Sequence, residues 1–121
     1  RRDMIASLSH CMTPEQLASI QQEVGHIHAS AALLDYLQAL IEHTRHSPDY
    51  AHGLSPRAAQ ALLQAARAWA WLAGRDHVLP EDIQTVLPAV APHRLRPVDD
   101  TLLRLDAEHI ARRLIEAVPL P

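Results

Sequence analysis

The chain has 121 residues, a formal net charge of −3, 3% aromatic residues and no phenylalanine. That length suits one domain with a modest core and is too short for a multidomain enzyme. The charge disfavours a binder of duplex nucleic acid, which is normally basic, and the shortage of aromatics removes the stacking platforms that single strands require.

Cys11 is the only cysteine. An internal disulfide is therefore excluded, and a reducing, cytoplasmic setting is expected. Cys11 itself reads as a small half-buried residue near the first helix. The longest apolar run, Ala68 to Ala73, is too short to cross a membrane. The chain opens Arg1-Arg2-Asp3 without a methionine and reads as a piece of a longer protein.

In chain order, Met4, Ile5 and Leu8 fit a short helix or an ordered lead-in. Met12-Thr13-Pro14-Glu15-Gln16-Leu17 is a full helix-start signature. Thr13 and Gln16 form a capping box, and Met12 against Leu17 forms a hydrophobic staple. Leu17, Ile20 and Val24 are expected to be its buried face, with Gly25 at its end. Ser30 caps a second helix whose stripe is Leu33, Leu34, Leu37, Leu40 and Ile41. His46-Ser47-Pro48-Asp49-Tyr50 then reads as a loop.

Ser55-Pro56 opens the third long helix. The serine hydroxyl can cap an orphan N–H, and proline at the first position gives up an N–H that would be unpaired anyway. This helix should run to Ala73 and stop at Gly74, the residue type that best tolerates a left-handed conformation. Arg57, Gln60, Gln64, Arg67 and Trp71 fall within roughly 80° of arc. The rest is mostly Ala, Leu and Trp, so a central helix with one narrow polar stripe is expected.

After Gly74, Val78-Leu79-Pro80-Glu81-Asp82-Ile83 starts another helix. Val78 staples onto Ile83, and Pro88 is expected to break or kink the helix. Glu81-Asp82 and Asp99-Asp100 read as dipole complement and solvated pairs. Residues 92 to 105 read as extended or looped, with a short strand at Thr101 to Leu105. Asp106 caps a last helix carrying Ile110, Leu114, Ile115 and Val118. The fold class is all-α, a small bundle of about five helices forming one domain over residues 1–121, with a short extended segment near 93–105.

Arg57 stands in a first helical turn, where the helix dipole disfavours a cation by about 0.3–1 kcal/mol. No acidic residue lies between Ala51 and Arg75, whereas the starts at Thr13, Pro80 and Asp106 all carry carboxylates in their first turn. Two readings follow. One is an arginine solvated on a polar stripe; the other is an anion site, with phosphate as its natural occupant. Trp71 shares a row with Arg67 and Arg75, so it either stacks with a guanidinium or packs on another domain.

Other chemistry is missing. Nine histidines include the close pairs His26/His28 and His43/His46, but no H-E-x-x-H and no cysteine cluster, so no metal site is assigned. There is no G-x-S-x-G and no G-x-x-x-x-G-K-[ST]. No catalytic residue is assigned within these residues.

Gly53-Leu54-Ser55-Pro56-Arg57-Ala58 and Gly74-Arg75-Asp76-His77-Val78-Leu79-Pro80-Glu81-Asp82-Ile83 resemble the C-terminal lid domain of MoxR-type AAA+ ATPases. The resemblance extends through Asp35-Tyr36, Thr44-Arg45 and His93-Arg94-Leu95. It implies that Arg57 is the sensor 2 arginine, reaching the phosphates of ATP bound with Mg²⁺ on an upstream α/β core. Gly53, Ser55, Pro56 and Ala58 would be its supporting motif, and Gln60, Gln64, Arg67 and Trp71 an interdomain surface.

The Walker motifs and Mg²⁺ ligands would lie upstream, so the lid alone should neither bind ATP tightly nor hydrolyse it. The implied partners are the protein's own core, the neighbouring subunits of a ring and proteins with von Willebrand factor A domains, which the machine remodels or activates. Nucleic acid and membrane are not among them. The competing reading is a non-enzymatic helical interaction module whose polar stripe docks a protein.

Overall fold

A computed structural model describes residues 1–97 and 106–121. The described elements are α1 (Arg2–Ala6), α2 (Pro14–Gly25), α3 (Ala31–His46), β1 (Tyr50–His52), α4 (Pro56–Leu72), α5 (Pro80–Val90), a 3₁₀ turn (Pro92–Arg94), β2 (Arg96–Pro97) and α6 (Ala107–Ala117). The all-α expectation holds, with five substantial helices and a five-residue α1. The expected strand at Thr101 to Leu105 and the pair Asp99-Asp100 lie outside the described residues.

The helix starts follow local chemistry. Thr13 and Gln16 close a reciprocal box, with Thr13 N–H donating to Gln16 Oε1 (2.8 Å) and Gln16 N–H to Thr13 Oγ1 (3.1 Å). Ser30 accepts from Leu33 N–H, Ser55 from Ala58 N–H and Asp106 from His109 N–H. Such caps are each worth about 1 kcal/mol. At the other end of α4, Gly74 adopts φ +77°. Gly74 N–H then bonds Trp71 C=O (2.9 Å) and Arg75 N–H bonds Ala70 C=O (3.0 Å), the paired bonds of a Schellman motif.

The core is one cluster. Ala58, Leu62, Ala66 and Ala70 form a fully buried row on α4. Three of the four are alanine, which lets α5 approach closely with Ile83, Val86 and Leu87. Tyr36, Leu37, Leu40 and Ile41 of α3 and Ile110, Ala111 and Leu114 of α6 complete it. Val78 and Ile83 are both buried, as the staple at the start of α5 requires. Two connections are tied together where His28 N–H bonds Asp76 C=O (2.8 Å) and Val78 N–H bonds His28 C=O (2.9 Å).

Several expectations need correction. α2 has no buried residue: Leu17 is exposed, and Ile20 and Val24 are only half-buried, because α2 lies at the edge with one flank against α4. Leu34 likewise points to solvent, as do Trp69 and Leu72, so α4 is not covered on all its apolar sides. Cys11 is exposed rather than half-buried. Of the break or kink expected at Pro88, the break does not occur, since α5 continues to Val90 with Pro88 inside it. The loop after His46 contains β1, which pairs antiparallel with β2 in the segment expected to be extended.

Candidate functional site

The start of α4 is held by the end of α3. Thr44 is fully buried in the last turns of α3. Its hydroxyl donates to Ile41 C=O (2.7 Å) and accepts from Leu54 N–H (2.9 Å). Arg45 Nε donates to Leu54 C=O (3.0 Å), while its Nη1 stands 3.5 Å from Glu42 Oε1. Leu54 therefore has both backbone polar groups taken by side chains of α3, and its own side chain is buried.

Gly53 makes this approach feasible. A Cβ there would lie 2.6 Å from the Arg45 Cα and N and 2.7 Å from the Thr44 carbonyl carbon. All three atoms are backbone, so nothing can swing aside. Its φ is not positive; the glycine is required for closeness to α3, not for a turn.

Ser55 and Pro56 then open α4, and Arg57 emerges in its first turn with an exposed side chain. Among the described residues it makes no side-chain hydrogen bond and no ion pair. The first turn of α4 holds no acidic residue, whereas those of α2, α5 and α6 do. The first turn of α3 also lacks one, but it carries no arginine either. A guanidinium in the first turn of a helix, open to solvent, can take a phosphate through two parallel bonds. Ala58 is buried beneath it and anchors the turn to the core.

Further along the stripe, the residues diverge. Gln60 and Gln64 are exposed. Arg67 is half-buried and donates from Nε to Ile27 C=O (3.1 Å) and from Nη1 to Gln64 Oε1 (3.2 Å). Trp71 packs against the core, and its indole N–H donates to Glu23 Oε2 of α2 (2.8 Å). Within this chain Arg67 thus holds the segment just after α2, at Ile27, and Trp71 holds α2 itself, at Glu23. The open part of the stripe is Arg57, Gln60 and Gln64.

Arg75 behaves in the opposite way to Arg57. Its guanidinium grips Asp82 with two bonds, Nη1 to Oδ2 at 2.7 Å and Nη2 to Oδ1 at 2.5 Å. Asp82 is 2% exposed and also accepts from Leu79 N–H (2.7 Å). Burial pushes the Asp82 carboxyl up, but the bonds from Arg75 and Leu79 outweigh it and leave it below the usual carboxylate range. Reading Asp82 as a solvated, dipole-complementing carboxylate was incomplete: it caps α5 and also neutralises Arg75. The available signal was Asp82 at the third helical position together with an arginine just past the glycine stop.

A model of the AAA lid domain matches residues 42–112, more than half of the chain. The chain belongs to the AAA lid domain family. The match spans Thr44 and Arg45 at the end of α3, Arg57 and the Arg75–Asp82 pair alike. Relatives place this lid among the MoxR type. The chain is 34% identical over 118 residues to the Bacillus subtilis protein YeaC, covering 97% of this chain and 37% of that one. It is 44% identical over 71 residues to the protein MoxR of Methylorubrum extorquens, covering 57% of this chain and 21% of the relative. It is 32% identical over 115 residues to the chaperone MoxR1 of Mycobacterium tuberculosis, covering 87% and 30%.

The lid also superposes on the crystal structure of a proposed ATPase from Cytophaga hutchinsonii. The TM-score is 0.79 at 26% identity, over 88% of this chain and 36% of that one. The chain thus spans between about a fifth and two-fifths of the length of these relatives. Among the described residues no cluster of three metal-ligating side chains occurs, and no helix is long and apolar enough to cross a membrane.

Proposed function

We propose that this lid serves an ATP-hydrolysing, chaperone-like machine in which Arg57 is the sensor 2 arginine, reading the phosphates of a nucleotide held by a neighbouring core. The observation that carries this is an exposed Arg57 without a described partner, on a helix start pinned by Gly53 and Leu54 to α3. The residues present fit a phosphate group. The guanidinium is open, it stands in the first turn at the positive end of the α4 dipole, and no carboxylate in that turn competes for it. ATP with Mg²⁺, bound on the core, supplies the transferable phosphoryl group. This chain supplies a charge that binds and orients phosphate oxygens, and a rigid mount for it.

Because the mount is the lid itself, phosphate contact at Arg57 makes lid orientation depend on nucleotide state. The open residues Gln60 and Gln64 continue that face toward the core or a neighbouring ring subunit. The name of the Mycobacterium tuberculosis relative, a chaperone, supports remodelling of a partner protein as the output, with von Willebrand factor A domains as the expected partner class. An exposed Cys11 without a disulfide fits a cytoplasmic location. The lid alone is expected to be inactive.

In the intact protein, Arg57→Ala should leave the melting temperature nearly unchanged and cut ATP turnover by about 10³-fold, the scale of an arginine placed on a transferring phosphate. Wild-type turnover in that variant would overturn the assignment.

A further inference from the structure

We propose that Thr44 and Arg45 are positioning residues for Arg57: the end of α3 is a latch that sets where the sensor arginine stands. The inference rests on the reading of Arg57 given above. Only two residues, Ser55 and Pro56, separate Leu54 from Arg57, and Ser55 caps the turn that carries Arg57. The helix start therefore has little slack, and its place is decided where Leu54 is held. That hold comes from side chains and not from a backbone ladder. Thr44 Oγ1 takes the Leu54 N–H, Arg45 Nε binds the Leu54 C=O, and Gly53 lies on the α3 backbone with no room for a Cβ.

Thr44 has a second feature that a mere space-filler would lack. Its hydroxyl proton goes to Ile41 C=O, so the lone pair that meets Leu54 is oriented by α3 itself. The helix packed beside α4, and not α4 alone, thereby dictates the site. A valine in this position keeps the shape but leaves the Leu54 N–H buried without an acceptor. The start of α4 must then shift to find one. A shift near 1 Å at a charge that contacts a reacting group can reduce rate by up to about 100-fold.

The test uses the intact ATPase. Thr44→Val should lower kcat by about tenfold to a hundredfold, and Thr44→Ser, which keeps the hydroxyl, should restore most of it. The double variant T44V/R57A should be no slower than R57A, because Thr44 acts only through Arg57. Unchanged turnover in T44V overturns the latch. So does a further full loss in the double variant, which would mean that Thr44 acts independently. If T44V does not fold, Arg45→Gln at an exposed position carries the same comparison with R57A. Wild-type turnover in R57A would instead overturn the sensor reading itself, an outcome distinct from either failure of the latch.

Discussion

The two ends of α4 each present an arginine, and the fold treats them differently. At the C-terminal end, Arg75 follows the left-handed Gly74 and closes two bonds on the buried Asp82. At the N-terminal end, Arg57 stands exposed, while the chain just before it is gripped by Thr44, Arg45 and the α3 backbone. One arginine is part of the hold; the other is what is held out. A pinned backbone carrying an open charge is the arrangement expected of a group whose counterion comes from outside the domain.

The largest expected effect breaks the contrast at its open end. Removing the Arg57 guanidinium should cost about 10³-fold in turnover with no loss of fold, whereas nothing at the Arg75 end should show that split. Asp82→Ala should do the reverse. It removes a carboxylate bonded to a guanidinium and to a helix N–H, so unfolding by urea should show a loss of about 2–3 kcal/mol. A smaller effect is expected at Gly74→Ala. Nothing lies within 4 Å of a Cβ there, so the cost is the left-handed φ alone, about 1 kcal/mol.

The smallest and most diagnostic effect is with pH. The folded Asp82 carboxyl lies below its ordinary value of 3.8, so the unfolded chain takes up its proton first as pH falls. The stability it contributes is present in full above the unfolded value and is lost as pH drops below 3.8 through the folded one. Chemical denaturation at pH 6 and pH 3 should show the wild type losing more than Asp82→Asn over that interval. Equal losses would mean that the Arg75–Asp82 pair does not secure this end of α4.

Much of the fold was legible because helix ends are decided within three or four residues. Thr13 with Gln16, Ser30, Ser55 with Pro56, Gly74 and Asp106 all do what their local chemistry predicts. The burial of faces was less legible. Leu17 and Leu34 have the spacing of core residues yet point outward, because amphipathic period says that a face is apolar and not what covers it. Of the site, the local chemistry of Arg57 left a solvated arginine and an anion site both open, and the phosphate role came from the resemblance carried by its motif.

By itself the sequence determined the five long helices among the described residues, their capped ends and the absence of carboxylates around Arg57, all properties of neighbours along the chain. Only the tertiary structure decided that Arg75 meets Asp82, that Trp71 binds Glu23 of α2 and Arg67 the Ile27 carbonyl just after it, and that Thr44 and Arg45 seize Leu54. Those pairings depend on how α2, α3 and α5 lie against α4. A distance across the core is set by packing, which no spacing along one helix encodes.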